Sequence, residues 1–202
     1  MPDAAFFSRF GLFTREHFLE PDLCTRLCGE IRTGLHSPGT VGSTGADYVI
    51  DRDVRRVTRA WIDDASRDAV RDRLLAIMPD LARHFEVPLA DCQDPQFLRY
   101  VTGDFYQRHW DATVRADSAE QSRARKVSAV IFLNAVSAEP RDTTYGGGSL
   151  TFYSLFEAPE GADVGVPLEA TPGLLVAFNA HMPHAVELVT HGERFTIATW
   201  FI

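Results

Sequence analysis

The chain has 202 residues, of which 45% are hydrophobic and 24% charged, with a formal net charge of −8. That length can bury one full core, and the balance of residue types is that of an ordered globular protein. The acidity argues against a sequence-independent nucleic-acid binder, which needs a basic surface to displace counterions from phosphates, and mildly favours a neutral or basic substrate.

The first residues, MPDAAFFSRFGLF, lack a basic stretch followed by a sustained apolar run. Nowhere does the chain approach the roughly 18 apolar residues of a membrane span. A cytoplasmic protein with no membrane partner is expected. Three cysteines, Cys24, Cys28 and Cys92, are an odd number without CxxC spacing and read as reduced core or boundary residues.

In chain order, Phe10 to Phe13 suggest an opening strand, and Glu20-Pro21-Asp22 a helix start. Leu23, Leu27, Ile31 and Leu35 then recur every four residues, giving that helix one apolar face. His36 to Ala46, rich in Gly, Ser and Thr, reads as a loop; Asp47 to Asp53 and Val57 to Ile62 read as a hairpin that overhangs a pocket. Asp63 or Asp64 can cap a second helix reaching Phe85, striped by Val70, Leu74, Ile77, Leu81 and Phe85, with Pro79 expected to kink or split it.

Beyond Val87-Pro88 the character changes. Short runs rich in Phe, Val, Ile, Leu and Thr cover residues 97–102, 127–133, 149–153, 173–178, 184–189 and 195–201. Between them, residues 113–126, 139–148 and 154–172 read as rim loops, where substrate contacts usually sit. No repeat or linker marks a boundary. The expectation is one domain over 1–202, mainly β with flanking helices, in which residues 1–87 supply strands and supporting helices packed on one sheet and residues 88–202 form a β core.

Within that second half, His109 and Asp111 lie two apart on an extended segment, so an imidazole and a carboxylate face the same way. A second histidine from a distant strand completes a two-histidine, one-carboxylate metal site with three open positions, the arrangement of non-haem Fe(II) oxygenases. An HxD pair alone is weak evidence. Three later histidines, His181, His184 and His191, are available, and position alone does not choose among them. Arg194 follows closely, a residue whose planar fork suits a carboxylate-bearing cosubstrate.

The ordered set Tyr100, Gly103, Tyr106, His109, Asp111, then Phe132-Leu133-Asn134, Gly147-Gly148, Pro172-Gly173, Phe178, His184 and Gly192-Glu193-Arg194-Phe195, ending in Trp200-Phe201, resembles the prolyl 4-hydroxylase-like branch of the Fe(II)/2-oxoglutarate-dependent dioxygenases. The likeness runs from about Pro88 to the end of the chain. It implies a double-stranded β-helix, the cupin-like jelly roll. By position it makes His109, Asp111 and His184 the iron ligands and Arg194 the partner of the distal carboxylate of 2-oxoglutarate. Tyr100 matches a position that helps hold the cosubstrate, Tyr106 one near the substrate, and Trp200 one lining the substrate side. His181 and His191 become loop histidines.

Two departures stand out: Ala185 replaces a commoner Glu, and Phe132 stands where some relatives have a tyrosine that hydrogen-bonds the cosubstrate. Another group must then help Arg194, and Thr196, on the same strand face, is a candidate. The resemblance implies hydroxylation of an unactivated C–H bond coupled to conversion of 2-oxoglutarate and O2 into succinate and CO2, with ascorbate as a reductant. The substrate is expected to be a prolyl residue of a peptide or protein; the alternatives are a free amino acid or other small metabolite, and a barrel that binds metal and 2-oxoglutarate without turnover. Asp111 counts against a halogenase, which needs that ligand position emptied for halide. A monomer or homodimer is expected.

Overall fold

The computed structural model describes residues 4–42, 48–113, 119–156 and 164–202. Its first half runs α1 (Ala4–Ser8), β1 (Phe13–Arg15), α2 (Pro21–Thr33), β2 (Leu35–Pro38), β3 (Val41–Gly42), β4 (Tyr48–Val49), β5 (Arg55–Arg56), β6 (Thr58–Trp61) and α3 (Asp64–Phe85). The second half follows with β7 (Gln96–Val101), β8 (Phe105–His109), α4 (Glu120–Arg123), β9 (Val127–Phe132), β10 (Ala135–Val136), β11 (Thr144–Gly147), β12 (Leu150–Phe152), β13 (Val166–Pro167), β14 (Leu175–Asn179), β15 (His184–Val186) and β16 (Val189–Phe201).

Strand pairing sorts these into two large sheets. The major sheet follows the order β1-β14-β9-β16-β7-β6-β2, with β11 and β10 added along β16; the minor sheet is β13-β12-β15-β8-β5. Period-two alternation on the long β16 explains how the major sheet serves two sides at once. Phe195, Ile197 and Phe201 join the outer core, while Arg194, Thr196, Ala198 and Trp200 line the interior cleft.

The outer core is built by the two helices. Leu23, Leu27 and Ile31 of α2 and Val70, Leu74, Ile77 and Leu81 of α3 are buried against Phe97, Ile131, Phe195 and Ile197 of the sheet. Side chains of this size stabilise by about 1.5–3 kcal/mol each when fully buried. Between the sheets lies a second cluster, in which Phe132, Val176 and Phe178 of the major sheet meet Leu150 and Phe152 of the minor one. Two mainly antiparallel sheets packed face to face, with helices on the outside of one, make the expected double-stranded β-helix.

Several expectations for the first half are corrected. Leu35 does not extend the α2 stripe: Gly34 ends the helix in an extended conformation, and Leu35 begins β2 with 80% of its surface exposed. Phe10 to Leu12 form a turn after α1, so the opening strand starts only at Phe13. The segment expected as a loop includes β2 and β3, although residues 43–47 lie outside the described part. The expected hairpin is two unrelated pairings, since β4 pairs with β3 while β6 lies between β2 and β7 in the major sheet. Pro79 does not split α3, which runs unbroken with Ile77 and Leu81 buried on either side of it. The side chain of Asp63 caps that helix by accepting from Ala65 N and Ser66 N.

Candidate metal and cosubstrate site

β8 and β15 are antiparallel neighbours in the minor sheet, and their register sets His109 directly opposite His184. The register slips by one residue between His184 and Val186, so Val186 pairs with Tyr106. Such an irregularity re-aims side chains locally. The two imidazoles sit 4.2 Å apart, centroid to centroid. Each has its Nδ1 on the backbone carbonyl two residues before it, His109 on Gln107 O at 2.8 Å and His184 on Met182 O at 2.9 Å. A carbonyl only accepts, so each ring carries its proton on Nδ1 and leaves Nε2 free as a lone-pair donor.

Asp111 lies past the end of β8. It is held there because Asp111 N and Ala112 N both donate to Ala180 O. Its two oxygens face the two free nitrogens, Oδ1 at 3.6 Å from His109 Nε2 and Oδ2 at 3.5 Å from His184 Nε2. Ser128 Oγ, on β9 of the major sheet, donates to Oδ2 at 2.7 Å. Burial pushes the Asp111 carboxyl up, but His184, His109 and the Ser128 hydroxyl outweigh it and keep the group ionised, well below the usual carboxylate range. Burial and the nearby His109 push His184 down to about 4, against the pull of Asp111, so it is neutral at neutral pH.

On the other side of the cleft, Arg194 on β16 pairs in register with Tyr100 on β7. It is 1% exposed and donates from Nη1 to Thr196 Oγ1 at 3.2 Å, while its Nε and Nη2 have no hydrogen-bond partner. Aromatic rings surround the guanidinium, Tyr100 at 5.0 Å, Phe132 at 5.3 Å and Tyr145 at 6.0 Å from their centroids. One cleft is lined by His109, Asp111, His184, Arg194, Thr196 and Tyr100, and also by Tyr106 and Trp200. The structure therefore brings together all eight residues singled out in the sequence.

Tyr106 stacks on His109 at 3.5 Å and 15°, and burial pushes its phenol up to about 12, so it stays protonated. Trp200 lies under Arg125, whose guanidinium carbon is 3.7 Å from the indole centroid. His181 is exposed and anchored by its backbone N–H to Asn179 Oδ1. His191 packs over Gly146 on β11. Neither joins the cleft-lining set.

Sequence reasoning missed Ser128, Arg55, Arg125 and Tyr145. Arg55 stacks 4.6 Å over Tyr106 and donates to Thr40 O, with its buried Nε unpartnered; Arg125 donates to Asp111 O and to Gln93 Oε1. Strand register brings Arg55, Ser128 and Tyr145 there and the segment between α4 and β9 brings Arg125, so their positions in the sequence carry no signal of it.

The donor atoms of His109, Asp111 and His184 lie within 4.8 Å of one another, and among the described residues this is the one such cluster. Two imidazoles bonded at Nδ1, with Nε2 turned to the cluster, and an ionised carboxylate suit divalent iron and leave further positions open. The unsatisfied fork of Arg194, buried where an unpaired polar group is costly, suits a carboxylate. The residues present thus fit Fe(II) and a dicarboxylate cosubstrate. No helix among the described residues is long and apolar enough to cross a membrane.

A family model described as the 2OG-Fe(II) oxygenase superfamily matches residues 95–202. By structure the chain is similar to a prolyl-4-hydroxylase from Pseudomonas putida, with a TM-score of 0.69 and 26% identity over 98% of this chain and 95% of that one. It is similar to a prolyl hydroxylase from Trichoplax adhaerens in complex with a hypoxia inducible factor oxygen degradation domain peptide fragment, with a TM-score of 0.67 and 20% identity over 98% and 86% of the two chains. It is similar also to the viral collagen prolyl hydroxylase of Paramecium Bursaria Chlorella virus-1 in its 2OG complex, with a TM-score of 0.60 and 16% identity over 94% of each chain. No curated protein matches the chain.

Proposed function

Because the chain belongs to the 2OG-Fe(II) oxygenase superfamily, we propose that it hydroxylates an unactivated C–H bond of a prolyl residue in a peptide or protein, through a single catalytic domain spanning 1–202. One observation carries the reading: a two-histidine, one-carboxylate cluster shares its cleft with a buried arginine whose fork is unsatisfied. The prolyl preference draws on the likeness to the Pseudomonas prolyl-4-hydroxylase.

In this reading His109, Asp111 and His184 hold the iron and Arg194 holds the distal carboxylate of 2-oxoglutarate. Together with dioxygen these supply an oxidant strong enough for such a bond, consuming 2-oxoglutarate to succinate and CO2. The chain's own work is orientation and exclusion of water. The Nδ1 bonds to Gln107 O and Met182 O fix both rings, and Ser128 fixes the carboxylate. Thr196 bonds the arginine, and Tyr100 lies beside it. Tyr106 and Trp200, with Arg55 and Arg125 stacked on them, form the substrate side. Those two cations favour an acidic residue near the target proline, the reverse of what the net charge suggests.

The test is succinate release with Fe(II), 2-oxoglutarate, air and ascorbate, against proline-containing peptides with acidic or basic flanks, free amino acids and small metabolites. Turnover with peptides, highest for acidic flanks, is expected. Turnover with a small metabolite alone would move the substrate to the alternative class. No succinate with any of them, and no visible charge-transfer band on anaerobic addition of Fe(II) and 2-oxoglutarate, would leave no ground for the reading.

A further inference from the structure

Arg194 has two faces, and only one of them looks into the cleft. Thr196 and Tyr100 belong to the cleft lining, but Tyr145 is absent from it even though its ring centroid is 6.0 Å from the guanidinium carbon. Tyr145 is 1% exposed, one of the largest fully buried side chains described. It comes from β11, which joins the major sheet only along β16, where Tyr145 pairs with Gly192, two residues before Arg194.

The local backbone is shaped for this contact. Gly147 and Gly148 have φ of +64° and +60°, the left-handed region that side chains disfavour, and a bulge falls between Gly146 and Gly147. A Cβ on Gly148 would meet Arg194 Cδ at 3.0 Å and Tyr145 Cε2 at 3.4 Å. The absent side chain is therefore what lets the stem of Arg194 and the Tyr145 ring close up against each other. Burial pushes the phenol up, and the charge of the Arg194 guanidinium, 6.0 Å from the ring centroid, pulls it back. A buried phenol needs a polar partner, and the Arg194 guanidinium is the charged group that faces this ring.

We infer that Tyr145 is a positioning residue: from behind the cleft, its ring and hydroxyl hold the Arg194 guanidinium so that the unpartnered Nε and Nη2 are presented to the distal carboxylate of the cosubstrate. This rests on the reading that the cleft binds 2-oxoglutarate. Phe132, the third ring around the guanidinium, has no hydroxyl to offer, whereas Thr196 and Tyr100 bring oxygens on the cleft side and Tyr145 brings one from behind. Tyr145 touches no reacting atom and acts only through Arg194.

The test is binding rather than turnover. Calorimetric titration of the Mn(II)-loaded protein compares 2-oxoglutarate with 2-oxovalerate, which keeps the metal-binding 2-oxo acid but lacks the distal carboxylate. Tyr145→Phe should weaken 2-oxoglutarate by roughly 10- to 100-fold, the loss of one hydrogen bond to a charged group, and leave 2-oxovalerate within about twofold. In an Arg194→Ala background Tyr145→Phe should change nothing further, because the group it positions is gone. Equal weakening of both ligands, or an undiminished effect without Arg194, means a general structural role and overturns the inference. So does unchanged 2-oxoglutarate affinity in a variant whose melting temperature matches the parent. Failure of the parent protein itself to bind 2-oxoglutarate would instead overturn the reading of the cleft, and the inference with it.

Discussion

His109 and His184 share one feature that decides their chemistry: each ring is committed at Nδ1 to a backbone carbonyl, so each can offer a metal only Nε2. His184, held near 4 by burial, has no proton to lose at neutral pH before it binds. Asp111→Ala or His184→Ala should therefore abolish iron-dependent succinate formation, and His181→Ala should leave it intact; the reverse pattern would refute the ligand assignment. Arg194→Ala should retain metal binding yet raise the 2-oxoglutarate requirement steeply. Loss of a buried charge-assisted pair costs on the order of 2 to 5 kcal/mol, roughly 30-fold to several thousand-fold in affinity. These residues could be read from the sequence because two of them form an HxD pair and the others follow in a recognisable order. Ser128 and Arg125 could not, since what brings them to Asp111 is β9 of a different sheet and the segment leading into it.

At the level of elements, Glu193 ties three of them together: its carboxylate accepts from Arg32 of α2 and Arg99 of β7 while it sits on β16 beside Arg194. Burial pushes its pKa up, but the two guanidinium partners win and lower it below 4.5. A carboxylate with a depressed folded pKa adds stability that is present above the unfolded value and lost as pH falls through the folded one. Thermal melts from pH 7 down to pH 3 should thus show a loss below about 4.5 that Glu193→Gln flattens. A second joint is the turn before β14, where Gly173 has φ +80°, accepts from Phe18 N and donates to Phe132 O. A Cβ there would strike the carbonyl of Leu19. Gly173→Ala should destabilise by about 1–3 kcal/mol, seen as a lower urea midpoint at unchanged slope. The helices α2 and α3 were legible because helix-start residues and a four-residue stripe are local signals, whereas α1 and α4, the latter inside a segment expected as a rim loop, are too short to show a stripe. Of the strands before α3, β4 and β6 fall within runs expected to be extended, but their pairing was not legible, because pieces of two to four residues take their partners from far along the chain, β5 from β8 and β6 from β7.

For the whole molecule, a net charge of −8 describes the surface and misdescribes the cleft, whose lining includes Arg55 and Arg194 and whose wall at Trp200 is covered by Arg125. Residue counts carry no information about where charges gather. The division of labour between the sheets carries a further consequence. Both histidines belong to the minor sheet, whereas Asp111 is bonded to Ser128 of the major one, so an ion held by all three would rivet the two layers of the sandwich together. Sliding of one layer against the other would then be possible only after the ion leaves. In native-state hydrogen exchange, Mn(II) should slow the amides of β9 and β15 in concert, two strands that share no backbone hydrogen bond, and Ser128→Ala should uncouple them.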